Sequence, residues 1–261
     1  MKFVVLTIFP EMFEPFWEHG IIRRAIEQKK IFASTLNIRE FAEDKHHVTD
    51  DRPYGGGSGM VMKPEPLAGA IRAAGRQAPS AKIILLTPQG RVFDQKLANE
   101  LAFHESLVLI CGRYEGIDER ICHDLIDDEI SIGDYVLTGG ELAAMIIIDA
   151  VTRQIPGALG AEDAAAKDSF ANGLLEHAHY TRPQVFEGEE VPKILLSGHH
   201  QEIESWRMES SLIRTLLKRP DLLQNRHLGQ KEIEILNKWS RHIQEIINFH
   251  HESRKQQKEK N

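Results

Sequence analysis

Three glycine-rich runs hold the residue types best able to shape a ligand site. Ser131-Ile-Gly-Asp-Tyr-Val-Leu-Thr-Gly-Gly carries three glycines in ten residues and leads straight into a helical pattern from Glu141. Thr87-Pro-Gln-Gly-Arg and Gly112-Arg-Tyr-Glu-Gly-Ile-Asp-Glu-Arg each follow a short apolar run. Positions without a side chain let a backbone or a ligand come close. Loops of this kind suit a neutral planar group such as adenine, held by main-chain N–H and C=O groups. An ordinary strand-to-helix turn is the alternative for 131–140. A fourth run, from Asp50 to Met60, has four glycines in the five positions 55–59. It is either a surface hairpin or a lid that orders over a ligand, with Arg52 as an anion contact.

The same sequence excludes several chemistries. No Gly-x-Gly-x-x-Gly follows a strand, and Walker A, His-Glu-x-x-His and Gly-x-Ser-x-Gly are missing from the sequence. The two cysteines, Cys111 and Cys122, are too few for a Cys-ligated metal site or a disulfide framework. The net charge of −7 argues against a broad phosphate-binding surface, but the charge is uneven. Residues 1–172 hold 18 Lys and Arg against 26 Asp and Glu, whereas residues 173–261 hold 14 against 13 and eight of the 13 histidines. A polyanion is therefore expected at the C-terminal part. The N-terminal apolar run stops at Pro10 and Glu11, and the run from Leu142 is broken by Asp149, so neither a signal segment nor a membrane span is expected. The expected compartment is the cytoplasm.

These loops need a frame, and the hydrophobic pattern supplies one. Residues 2–9, Ile31–Ile38, Lys82–Leu86, Ser106–Cys111 and Glu129–Leu137 are β-prone, and most are apolar throughout, as in strands buried on both faces of a parallel sheet. Helical patterns lie between them, at about 11–29, 66–75, 95–103 and 141–151. The spacing predicts an α/β fold whose loops gather at one sheet edge, where open α/β sheets bind ligands. Pro88 and Gly90 are expected to end their strand. Gln154–Lys167 is rich in glycine and alanine and is expected to be a linker; Asp168 is of the type that N-caps a helix. Beyond it an all-helical second domain is expected, with helices at 202–218 and about 230–250 and a frayed polar tail from Glu252. The expected organisation is a sheet domain over 1–160, a flexible linker over 161–172 and a helical domain over 173–261.

Taken together and in order, these runs resemble one family. Asp51-Arg-Pro-Tyr-Gly-Gly-Gly, Pro88-Gln-Gly, the Cys111–Arg120 and Ser131–Glu141 runs, His179-Tyr-Thr-Arg-Pro and Arg219-Pro-Asp are similar to the motifs of the bacterial tRNA (guanine-N1)-methyltransferases, which act on guanosine 37 and belong to the SPOUT superfamily. The resemblance extends from Met1 to about Leu223. It implies a parallel sheet with a deep C-terminal trefoil knot, S-adenosylmethionine as cofactor, tRNA as substrate, and a homodimer with active sites at the interface. It also implies magnesium, for which the sequence identifies no site.

Carried over residue by residue, the resemblance makes Asp168 the general base and Arg153 the cation that steadies charge on the guanine. The cofactor would lie against Leu86, Pro88, Gly90, Gly112, Tyr114, Glu115, Ser131, Ile132, Gly133, Asp134, Tyr135, Val136, Leu137, Gly139 and Gly140. The substrate nucleoside would meet Asp50, Arg52, Gly55 and Gly59, and the tRNA would meet His200, with His199, Arg207, Arg214 and Lys218 as further candidates. Ser58 stands where the family usually has proline, and Asn172 where an aspartate is common; Asp163 is an alternative base if the linker is misaligned. A SPOUT enzyme for another RNA nucleotide and a nucleotide-binding module without chemistry are the rival functions.

Overall fold

A computed structural model of the protein describes residues 1–160 and 164–258; Asp163, the alternative base, and the last three tail residues lie outside them. The described chain forms two compact units, with the boundary between Ala165 and Ala166.

The first unit runs in order through β1 (Lys2–Thr7), α1 (Glu14–Glu18), α2 (Gly20–Glu27), β2 (Phe32–Asn37), β3 (Asp50–Asp51), β4 (Val61–Met62), α3 (Pro64–Gln77), β5 (Lys82–Val92), α4 (Gln95–Ala102), β6 (Ser106–Cys111), α5 (Glu119–Leu125), β7 (Asp128–Ser131) and α6 (Glu141–Thr152). Five strands pair in parallel in the order β2-β1-β6-β5-β7. Their side chains alternate between two cores, as a period of two requires. Phe3, Val5, Leu107, Leu109 and Cys111 join one core with Ala144, Ile147 and Ile148 of α6. Val4, Leu6, Val108 and Ile110 join the other with Leu67, Ala70 and Ile71 of α3. Cover on both faces is why β1 and β6 read as unbroken apolar runs.

Three elements differ from the sequence expectation. The helix expected over 11–29 is divided, because His19 is extended and Gly20 adopts φ +64° between α1 and α2. β5 does not end at Pro88. Ile130 of β7 pairs first with Leu86 and then with Arg91, so residues 87–90 loop out and the strand resumes beyond them. Pro88 has no N–H to give to the ladder, and Gly90 lets the neighbouring backbone close in: a Cβ there would lie 2.3 Å from the Glu129 carbonyl carbon. Beyond the loop, Arg91 bonds both Glu100 of α4 and Asp128 of β7, which fixes the resumed strand. The third difference is that β7 stops at Ser131, leaving 132–140 irregular.

The second unit follows α7 (Ala164–Lys167), which spans the boundary, and contains β8 (Val185–Phe186), β9 (Glu189–Glu190), α8 (His200–Lys218), α9 (Pro220–Gln224) and α10 (Gln230–Lys258). It is not all helical: β8 and β9 form a small antiparallel hairpin. The helix expected to end near 250 continues to Lys258, so the polar tail is helical where it is described.

Two glycines provide a test of how backbone contact shapes the sheet. Gly75 lies within α3, where an added Cβ would meet nothing within 4 Å, whereas Gly90 is pressed against β7. Gly75→Ala is expected to raise stability by about 0.5–1 kcal/mol through reduced chain entropy, and Gly90→Ala to lower it. Thermal unfolding followed by circular dichroism should therefore move the two Tm values in opposite directions.

Candidate functional site

Where β5 loses its pairing and β6 and β7 end, their loops enclose a cleft of about 380 Å³. It is lined by residues from 85–89, 112–117, 130–133 and 135–140. Of the residues expected to hold a cofactor, Leu86, Pro88, Gly112, Tyr114, Glu115, Ser131, Ile132, Gly133, Tyr135, Val136, Leu137, Gly139 and Gly140 border this space. Gly90 and Asp134 are not among the lining residues; Gly90 serves the contact between β5 and β7 instead.

The loops are joined by main-chain contact. The Gly140 N–H donates to the Gly112 carbonyl at 2.9 Å, and Gly139 forms a bridge with Arg113. A Cβ on Gly140 would sit 2.7 Å from the Cys111 Cα, so the β6 loop and the start of α6 can touch only through glycine.

Directly after this contact comes a residue whose role the sequence pattern did not disclose. Glu141 is only 1% exposed. Its carboxylate accepts from the Thr7 hydroxyl at 2.8 Å and from Arg113 Nε at 3.0 Å, with Arg113 Nη2 also at 3.0 Å. The same guanidinium donates to the Thr138 carbonyl at 3.2 Å and lies 4.5 Å from the Phe9 ring centroid. A buried carboxylate costs several kcal/mol in lost hydration, which only well-placed partners offset. Thr7, Arg113 and Thr138 thus hold the end of β1, the loop after β6 and the loop after β7 in one arrangement. The available signal was the carboxylate that begins a helix otherwise apolar as far as Asp149, a position that also reads as ordinary helix-dipole compensation.

The glycine-rich run at 50–60 is the connection of a short antiparallel pair, β3 and β4. Its base is tied to the cleft rim: Glu115 N–H donates to the Met60 carbonyl, Met62 N–H to the Gly116 carbonyl, and Asp118 N–H to the Met62 carbonyl. Gly59 packs against the Glu115 side chain, while Gly55, Gly56 and Gly57 have no neighbour within 4 Å of a Cβ position. Arg52 and Tyr54 are exposed. Asp50 faces Tyr114; burial first and the Asp50 carboxylate second push the Tyr114 phenol above its usual range.

Neither cysteine is placed for nucleophilic work. Burial and the nearby Glu141 push the Cys111 thiol well up, and Cys122, which borders the cleft, is pushed up to about 11 by burial and by Glu119, Glu129 and Asp118. Both stay protonated at neutral pH and act as core thiols.

Arg153 is the C-cap of α6, in the first unit, and its N–H donates to the Asp149 carbonyl at 3.1 Å. Asp168 belongs to the second unit. It does not N-cap a helix: it follows α7, and its carbonyl accepts from Ala171 N–H to open a turn. Asn172 Oδ1 accepts from Leu174 N–H within the same compact segment. His200 is the first residue of α8 and is exposed; Arg207 there pairs with Glu204. Among the described residues, the one convergent group of three metal-ligating side chains is Glu176, His177 and His179. Two imidazoles are a poor match for magnesium, which takes oxygen ligands.

Breaking the buried pair from one side should expose its cost. Arg113→Leu leaves the Glu141 carboxylate without its cation, with an expected loss of about 3–5 kcal/mol. Adding Glu141→Gln should recover much of that loss, because no buried charge then remains unpaired. Urea unfolding of both single variants and the double variant checks the coupling; independent, additive effects would contradict it.

Comparison with known proteins gives this geometry a family. The model of the tRNA (guanine-1)-methyltransferase TrmD family matches residues 1–225. The tRNA (guanine-N(1)-)-methyltransferase of Desulfatibacillum aliphaticivorans is 59% identical over 247 residues, covering 95% of this chain and 94% of the relative. That of Geotalea uraniireducens strain Rf4 is 55% identical over 241 residues, covering 92% and 98%. The crystal structure of tRNA (m1G37) methyltransferase from Aquifex aeolicus is similar with a TM-score of 0.70 at 41% identity, covering 86% of this chain and 95% of that one. A family match across most of the chain, and relatives of this identity along nearly their whole length, establish that the chain belongs to the TrmD family of tRNA (guanine-N1)-methyltransferases.

Proposed function

We propose that this enzyme transfers the methyl group of S-adenosylmethionine to N1 of guanosine 37 of tRNA, in a homodimer whose active sites lie at the subunit interface. The observation that carries the proposal is the cleft of about 380 Å³ walled by the backbone of three loops. Its volume falls in the range of small-molecule sites, and main-chain groups beside Leu86 and Leu137 suit a flat, uncharged adenine. A Cβ at Gly140 would collide with Cys111, so only glycine there lets this wall of the cleft close. When bound, S-adenosylmethionine supplies a methyl carbon already joined to a positively charged sulfur leaving group.

The chain's own groups account for the remaining steps. N1 of guanine carries a proton and is a poor nucleophile until it leaves, so Asp168 serves as the general base that accepts it. Negative charge then builds on O6, and Arg153 stabilises it. Asp50, Arg52, Gly55 and Gly59, on the β3–β4 connection rooted at the cleft rim, meet the target nucleoside; His200, at the start of α8, meets the tRNA. Alignment of N1, methyl carbon and sulfur supplies much of the acceleration, since no covalent enzyme intermediate is required. No step is assigned to magnesium, because the described residues offer no convergent set of three carboxylates.

Two further features belong to the same proposal. The loops at 86–90, 111–116 and 131–140 form a deep trefoil knot, supported by the close backbone approaches at Gly90 and Gly140. The homodimer is supported by Leu142 and Ile146, which lie four residues apart on α6, outside the core, and are 51% and 46% exposed. An apolar pair of this kind on one helix face is suited to a partner surface. The cytoplasm, where tRNA is modified, is the corresponding compartment.

The assignment of Asp168 separates chemistry from binding. Asp168→Ala should lower single-turnover methyl transfer by about 10²-fold or more, while calorimetric titration gives an unchanged affinity for S-adenosylhomocysteine. Unchanged turnover would remove Asp168 as the base, and lost binding would reassign it to the cofactor. Sedimentation of the same preparations should give twice the 29.7 kDa chain mass.

A further inference from the structure

We propose that Glu176, His177 and His179 form a binding site for a first-row transition-metal ion, in a two-histidine, one-carboxylate arrangement within the second unit. The inference does not rest on the methyl-transfer mechanism. Each side chain offers one ligating atom, and these atoms lie within 4.8 Å of one another.

Three observations point to ligation and not to an incidental surface pair. His177 Nδ1 lies 3.0 Å from the Ala178 carbonyl oxygen. A carbonyl only accepts, so Nδ1 carries the proton and Nε2 keeps its lone pair. A backbone carbonyl bonded to one ring nitrogen is the usual way in which a metal-bound imidazole is oriented. Next, His179 Nε2 and Glu176 Oε1 are 2.9 Å apart. Two neighbouring ligands bonded to one ion at about 2.1 Å stand about 3.0–3.4 Å apart, so the two atoms need to separate only slightly. Finally, the backbone bearing the ligands is fixed from two sides. Glu176 N–H donates to Ser169 Oγ at 3.0 Å, and Ala178 N–H donates to Ser210 Oγ of α8 at 3.1 Å. The His177 ring also meets Trp206 edge-on, with centroids 6.3 Å apart. Ligands on a braced backbone lose little freedom on binding.

The donor set decides the class of ion. Two imidazoles and a carboxylate favour Zn(II), Co(II) or Ni(II), whereas Mg(II) prefers oxygen donors and keeps its waters. Three protein ligands leave a coordination position to water. An ion here would link the ends of the 176–179 segment, eight residues beyond Asp168.

The test uses the full-length protein without a histidine tag. Titration with Co(II) at pH 7.5 should develop visible d–d absorption that saturates at one ion per chain, and Zn(II) should displace it while excess Mg(II) does not. His177→Ala, His179→Ala and the near-isosteric Glu176→Gln should each weaken binding by about 10-fold or more, with far-ultraviolet circular dichroism retained. His227→Ala, an exposed histidine of the same unit, should bind as wild type does. Absence of a saturable Co(II) signal in the wild-type protein, or equal binding by wild type and the His177 and His179 variants, would overturn the proposal.

Discussion

The cleft depends on one buried carboxylate. Glu141 is removed from water at the start of α6, and Thr7 and Arg113 are the groups that make its position tenable. Each belongs to a different part of the sheet edge, one ending β1 and the other following β6. A charge in a low-dielectric setting tolerates little displacement of its partners, so the interaction fixes relative loop positions more firmly than apolar packing would. The adjacent Gly140 contact with Cys111 and Gly112 sets the distance, and the ion pair sets the orientation. Arg113 then passes that orientation to Thr138 in the cleft wall.

In the proposed mechanism the cleft side chains perform little chemistry of their own. Among the described lining residues, Cys122 stays protonated and Arg113 is held in the ion pair with the buried Glu141. On that proposal the cleft grips and aligns, and proton transfer comes from elsewhere. In the proposed mechanism Asp168, in the second unit, supplies it. The β3–β4 connection combines the two demands, being tied at its base to the cleft rim and free of close neighbours at its glycine tip.

Much of the sheet was legible in the sequence because its cause is local to each strand. Runs such as Phe3–Leu6 and Leu107–Cys111 are apolar on both faces, and both faces are covered. The loops that form the cleft were legible from their glycines. What those glycines touch was not, since the contact of Gly90 with β7 depends on a strand that leaves its ladder and rejoins it. Glu141 was hidden for a related reason: its burial exists only after three loops have met. Asp168 has the residue type of an N-cap, yet tertiary context puts it after a helix. The β8–β9 hairpin has two residues per strand, too few for an alternating pattern to register. The membership of Glu176, His177 and His179 in one cluster was likewise invisible until side chains had positions.

In the proposed function a backbone-walled cleft serves methylation at one atom of one nucleoside. Mass spectrometry of nucleosides, with the modified site mapped by nuclease fragments, measures this directly on tRNA transcripts incubated with the protein and S-adenosylmethionine. N1-methylguanosine should accumulate at position 37 of a transcript carrying guanosine there and be missing from one carrying adenosine. No N1-methylguanosine in either transcript, or equal methylation of both, would contradict the account.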